Sequence, residues 1–437
     1  MELKAGDCIQ TQKGNVLRVK DEIGSGGQGW VYSVECAGQI KALKIYKPDG
    51  LRDQEKFIKN LEENASLPEP PSPFLVWPQD VVKLADGSYG YVMEMVQKPF
   101  INFERFLLPL AKGGVRFASF KAMTDAMMNV VSAFQRLHIK GYSYQDLNNG
   151  NLFFNPANGD VKICDNDNVA PNKTYTGIIG KPRFIAPEVI LGKNMPDTFS
   201  DRFSLAIILF MIATISHPLE GHRFLRLLLS PEHERQLYAE DPVFVMSKTD
   251  TRNNIRPEER EHFVNLLWMW RWMPGELREL FEKAFSEEVI KTPAKRIRED
   301  EWMNVLLRVR NRFVTCPRCG KETVQKRPDV LECEDCGQKT ALHVFQNDYL
   351  PYDIPIAYNA ALFEGHLGVP EQGKGCVMCV RVAKNKANGA YFLQNVSQEA
   401  VWVQTQDGKR ERCLAGKAMP LQKVQSILIH DTWTSLK

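Results

Sequence analysis

The chain has 437 residues, 43% hydrophobic and 25% charged, with a formal net charge of only +3. That balance describes an ordinary globular protein of roughly two to four domains, whose main body needs neither disulfides nor metal to fold. Lys and Arg are spread along the chain, which gives no argument for nucleic acid or an anionic membrane as partner.

The first residues, MELKAGDCIQ, lack the apolar stretch of a secretory signal. Residues 1–96 read mostly as short strands with glycine turns. One helix is expected near Asp53 to Leu67, with Phe57, Leu61 and Ala65 on one face and the Pro-rich 68–73 ending it. From about 100 to 312 the pattern is helical, strongest over Phe120–His138 and Asp201–Ile215. The apolar run Leu205–Ile215 is too short to span a bilayer and reads as a core helix. Two Cys-x-x-Cys pairs follow, and the tail from about 350 returns to strands such as Val377–Val382 and Ala400–Thr405. Ten cysteines in such a chain point to metal or free thiols in a reducing cytoplasm before disulfides.

The first chemical feature is Gly24-Ser25-Gly26-Gly27-Gln28-Gly29. Alone it is weak, because dinucleotide-binding folds also open with such a loop. Those folds need a helix next, whereas WVYSVEC alternates like a strand, and KALKIYK follows as another with Lys44 at its centre. A glycine hairpin between strands can close backbone amides over triphosphate oxygens, with Lys44 holding the α and β phosphates. The bland alternative is a plain hairpin beside an exposed lysine. A carboxylate must position Lys44, and the following helix offers Glu63, with Glu62 next; placing Glu63 inward puts Leu67 one turn later on the same face.

The second feature is Asp146 followed five residues later by Asn151, then a strand hairpin, then Asp165-Asn166-Asp167. This order places a base and two magnesium ligands around one cleft. Here the chain resembles the eukaryotic-like protein kinases over about residues 15–312. The resemblance implies ATP and Mg2+ as cofactors and a bilobal α+β fold, with an N-lobe at 1–96 and a C-lobe at 97–312. It implies that Lys44 is the ATP lysine and that Asp146 accepts the substrate hydroxyl proton. Asn151 and Asp165 become the metal ligands, and Val31, Ala42 and Phe153 sandwich the adenine. Tyr91-Val92-Met93-Glu94-Met95-Val96 looks like the hinge, with Met93 as gatekeeper. Ile185-Ala186-Pro187-Glu188 looks like the end of the activation segment, and Arg296 is placed to pair with Glu188.

Three departures matter. The usual His-Arg-Asp reads Tyr144-Gln145-Asp146, so a phosphate on Thr174, Tyr175 or Thr176 has lost its cationic anchor and activity should not depend on it. The usual Asp-Phe-Gly reads Asp165-Asn166-Asp167, which removes the aromatic ring whose packing switches such kinases. The lysine expected two residues after the base is Asn148, and Lys181 stands where a threonine is usual. Lys181 is therefore expected to supply the γ-phosphate cation that position 148 lacks; the alternative is a solvent-exposed lysine. Because the four essential residues remain, transfer to protein Ser/Thr hydroxyls is expected over an ATP-binding pseudokinase scaffold.

Cys316-x-x-Cys319-Gly and Cys333-x-x-Cys336-Gly suit one structural Zn2+ in a ribbon over 313–345. Cys376 and Cys379 lie in a strand with side chains on opposite faces, which argues against chelation. Residues 350–437 loosely resemble the later strands of forkhead-associated domains, a small all-β sandwich, without that family's phosphothreonine-gripping elements. Kinase, cysteine ribbon and such a tail together are similar to bacterial kinases of tellurite-resistance-type phosphorylation triads. That similarity implies a stress-response role beside a von Willebrand A-type protein and a PP2C-type phosphatase.

Overall fold

The computed structural model describes residues 2–437 except 28, 48–53, 175, 177–179, 227–229, 327–329, 351, 369–372 and 386. The first lobe is an antiparallel sheet of β1 (Cys8–Gln10), β2 (Val16–Ser25), β3 (Gly29–Cys36), β4 (Gln39–Tyr46), β5 (Asp80–Lys83) and β6 (Tyr89–Glu94), in the order β1-β2-β3-β4-β6-β5. Alternate residues Leu17, Val19, Tyr32, Val34, Leu43 and Ile45 fill one core against it. Helix α1 (Gln54–Ala65) covers the other face, burying Phe57, Leu61 and Ala65 as the periodicity predicts.

The second lobe is built on two long helices. α2 (Phe120–Ile139) starts where the Ser119 hydroxyl accepts the Ala122 N–H at 3.0 Å. α3 (Thr198–Thr214) begins about a turn before the expected Asp201, because Asp197 and Ser200 form a capping box in front of it. Its residues from Phe203 onward are buried all round, as a helix through the centre of a core must be. α4 (Glu299–Arg312) lies against α2 and ends the lobe. Among the described residues, no helix is long and apolar enough to cross a membrane.

The chain then forms two small hairpins, Phe313–Thr315 with Glu322–Val324 and Val330–Glu332 with Lys339–Ala341. Beyond them lies a six-stranded sheet ordered Ile354–Pro355, Val344–Gln346, Thr432–Leu436, Val424–Ile429, Val401–Thr405, Arg410–Cys413. A four-stranded sheet, Ala361–Phe363, Met378–Lys384, Tyr391–Asn395, Ala418–Pro420, shares a core with it. This region is not tethered by a free linker. Ala361 and Phe363 belong to the core of the second lobe, and the Ser132 hydroxyl and Arg136 guanidinium on α2 donate to the Gly373 carbonyl at 2.7 and 2.9 Å.

Candidate active site

The glycine hairpin closes where the Gly26 N–H donates to the Gly29 carbonyl at 2.9 Å. A side chain on Gly29 would collide with the Ile45 carbonyl oxygen, so close β3–β4 packing forces that glycine. Gly26 and Gly27 face open space instead, which leaves their backbone free to approach a ligand. Gly24 and Ser25 close β2, while Gln28 lies outside the described residues. Strand register sets Val31 opposite Lys44 and Ala42 opposite Met93. Ala42 and Met93 are buried in one cluster, with Val31, Met95 and Cys164 packed on it. Phe153, on the strand Leu152–Phe154, stands half-buried outside that cluster. The Glu94 carboxylate faces away from it, paired with Lys162 at 2.9 Å.

The expected partner of Lys44 is not the one it has. Glu63 is exposed on the outer face of α1, where among the described residues it pairs with Lys59 at 4.0 Å, and Glu62 accepts from Gln12 at 2.8 Å. The inward face carries amides: Asn60 donates to the Val169 carbonyl at 2.9 Å, and Asn64 to the same carbonyl at 2.8 Å. The lysine ammonium instead meets Asp167 at 2.8 Å and Asp165 at 3.4 Å. Burial opposes the charge on Lys44, but Asp165 and Asp167 outweigh it and hold the ammonium above the usual lysine range.

The base and metal candidates are brought together by short links. The Asn151 side chain donates to the Asp146 carbonyl at 2.9 Å, and the Cys164 N–H donates to the Asn151 carbonyl at 2.8 Å, which sets Asp165 beside them. Asp165 takes a left-handed conformation, φ 53°. Burial, then the charge of Asp165, pushes the Asp146 carboxyl up to about 6, against the Asn148 hydrogen bond and Lys181. Asn148 donates to an Asp146 carboxylate oxygen at 3.2 Å and accepts from Lys181 Nζ at 3.2 Å. Lys181 is exposed, yet its head reaches the loop that carries Asp146 and Asn148. A Cβ at Gly180 would lie 2.6 Å from Asp146 Oδ1, so a side chain there would push the carboxylate aside.

Where the sequence departs from the resembled pattern, hydrogen bonds replace the missing groups. Tyr144 is fully buried; its hydroxyl donates to the Cys164 carbonyl and its N–H to Asp201 at 2.6 Å. Gln145 donates to the Thr174 carbonyl at 2.7 Å and accepts from the Thr176 hydroxyl at 3.5 Å, tying both residues to the loop that carries Asp146. Tyr175 lies outside the described residues. Asn166 donates to the Val76 and Ile163 carbonyls at 2.8 and 2.7 Å. Arg296 forms two parallel bonds to Glu188 at 2.7 and 2.6 Å, as its place in the sequence suggests.

The four thiols of Cys316, Cys319, Cys333 and Cys336 lie within 4.8 Å of one another. Cys316 and Cys336 are 3.7 Å apart and Cys319 and Cys333 3.6 Å. Tetrahedral zinc with Zn–S bonds of about 2.3 Å requires sulfurs roughly 3.8 Å apart, so the donor set fits. Gly320 and Gly337, both at positive φ, close the two turns. Cys376 packs on the lobe core and Cys379 in the core between the two C-terminal sheets, so that third pair faces two ways.

Comparison with known proteins agrees with this geometry. The family model described as "Protein kinase domain" matches residues 17–292. The chain is 29% identical over 212 residues to the Drosophila melanogaster cGMP-dependent protein kinase, isozyme 2 forms cD5/T2, covering 47% of this chain and 22% of that protein. It is 28% identical over 232 residues to human Serine/threonine-protein kinase 10, covering 49% and 22%, and 29% identical over 213 residues to mouse cGMP-dependent protein kinase 2, covering 47% and 26%. The matched stretch is thus about a quarter or less of those relatives' length. With the family model spanning well over half of its residues, this chain belongs to the protein kinase family.

Proposed function

We propose that the chain transfers the γ-phosphoryl group of Mg-ATP to Ser/Thr hydroxyls of a protein substrate. One observation carries this reading: Lys44, the Asp146–Asn151 loop and Asp165 are three segments far apart in sequence, and they meet at one cleft. Lys44 holds the nonreacting phosphates, Asn151 and Asp165 hold magnesium, Asp146 orients the substrate hydroxyl, and Lys181 neutralises the γ-phosphate. Gly24, Ser25, Gly26, Gly27 and Gly29 cover the phosphates, and Val31, Ala42, Met93, Met95 and Phe153 flank the adenine beside the Glu94 backbone. Ser/Thr preference rests on the names of the relatives. Cys316, Cys319, Cys333 and Cys336 hold a structural zinc in a ribbon, and the two C-terminal sheets form a forkhead-associated-like sandwich for docking. That domain order supports a cytoplasmic role in a bacterial stress-response system, with a von Willebrand A-type protein and a PP2C-type phosphatase as partners to seek. Labelled ATP tests the central reading. Label transferred by wild type and lost in both Asp146→Ala and Asp165→Ala is the expected result. No transfer by wild type, even with those partners added, leaves an ATP-binding scaffold.

A further inference from the structure

On the reading that Lys44 holds ATP, we propose that Asp167, the third residue of the Asp-Asn-Asp loop, is the positioning carboxylate of the catalytic lysine, and that α1 supplies none. Asp167 is fully buried and its Oδ2 lies 2.8 Å from Lys44 Nζ. The Tyr46 hydroxyl, two residues beyond Lys44 on the same strand, donates to that same oxygen. The other carboxylate oxygen has no hydrogen-bond partner among the described residues, so the charge of Asp167 is balanced through Lys44.

The helix cannot offer a substitute without being unpacked. Phe57, Asn60, Leu61 and Asn64 define its buried face. At 3.6 residues per turn Glu63 points roughly 110° away from that face and Glu62 about 150°. Turning either inward would break the bonds from Asn60 and Asn64 to Val169 and expel Phe57 from beside Tyr46, where their rings lie 5.1 Å apart. Those amide bonds also let α1 brace the metal loop. Asn60 reaches the Asp167 carbonyl at 3.4 Å, so the helix fixes the segment that carries the carboxylate. Lysine and carboxylate therefore stay aligned without a rotation of α1, and the carboxylate moves only with the metal loop.

A double-mutant cycle on the full chain tests this, read by label transfer to a generic basic protein and by Mg-ATP affinity in calorimetry. Asp167→Asn and Lys44→Met should each lower transfer by about 10²-fold or more. The double variant should be no worse than Lys44→Met alone, Asp167→Glu should recover part of the loss, and Glu63→Gln should match wild type in both readouts. A loss in Glu63→Gln comparable to Lys44→Met overturns the proposal, as does full additivity of Asp167→Asn with Lys44→Met. If Asp167→Asn fails to fold, Glu63→Gln and Asp167→Glu decide alone. If wild type transfers no label, the kinase reading fails separately, and the same comparisons are made on Mg-ATP affinity.

Discussion

Asn166 shows how a single side chain can replace packing by hydrogen bonding. It is fully buried, and its amide ties the metal loop to Val76 and Ile163. The Ile163 carbonyl also accepts the Val76 N–H at 2.8 Å, so Asn166→Leu would strip the Val76 carbonyl of its donor and take one of two from Ile163, and should cost about 1–3 kcal/mol in urea unfolding. Lys181 makes the complementary case for chemistry. Its ammonium is 3.2 Å from Asn148, which itself bonds Asp146. Lys181→Ala should lower turnover clearly while leaving stability unchanged; unaltered turnover beside an inactive Lys44→Ala would remove it from the site. The residues that spacing alone identifies are those whose roles are local to a motif, such as Asp146 with Asn151. Asp167 was hidden because its burial depends on Tyr46 and α1 closing over it. The available signals were Tyr46 two residues after Lys44, and asparagines instead of acids at positions 60 and 64.

Among elements, the helices α2, α3 and α4 of the second lobe meet at one ionic node. His138 on α2 contacts Asp201 on α3 at 3.1 Å and Glu299 on α4 at 2.9 Å, and Arg202 also binds Glu299 at 2.9 Å. Asp201 in turn accepts the N–H groups of Tyr144 and Gln145, so the node supports the loop that carries Asp146. Burial opposes protonation of His138, but its bonds to Asp201 and Glu299 outweigh that and raise it from 6.5 to about 9. A raised folded-state value means stability fully present below about pH 6.5 and lost as pH rises through about 9, on the order of 3 kcal/mol. Lys121, which burial lowers to about 7, has the opposite slope over part of this range. The difference between wild type and His138→Gln cancels it. That difference, from urea midpoints at pH 6 and 9.5, should shrink at the higher pH. The activation segment is a second element-scale case. Gln145 already tethers Thr174 and Thr176, so replacing Thr174, Tyr175 and Thr176 together with non-phosphorylatable residues should leave label transfer intact. Helix existence and hydrophobic faces were legible in the sequence. The early start of α3 and the node were not, because caps and cross-helix pairs depend on partners far along the chain.

For the whole molecule, local pattern suggested a kinase followed by independent modules, and the packing says otherwise. Glu322, beside the cysteine cluster, accepts the Phe120 and Lys121 N–H groups at 2.6 and 3.3 Å, at the very start of α2. Phe313 stacks on Phe120 at 4.9 Å, and Arg310 joins Asp125 at 2.6 Å to the Asn359 carbonyl at 3.0 Å. The cysteine segment thus supports the helix whose far end carries His138. Such contacts leave no periodic trace in sequence, since each side shows only an ordinary polar or aromatic residue. If the four thiolates hold zinc, metal binding becomes folding energy for the second lobe as well as for its own hairpins. Elemental analysis should find one zinc per chain, and Cys333→Ser should lose it and melt lower throughout, including the kinase region. Glu322→Ala keeps the thiolates but strips two helix N–H groups of their acceptor, and should cost about 0.5–2 kcal/mol. A Cys333→Ser protein that loses zinc yet melts like wild type would show the cluster to be an appendage; lowered melting in both variants would make it part of the kinase scaffold.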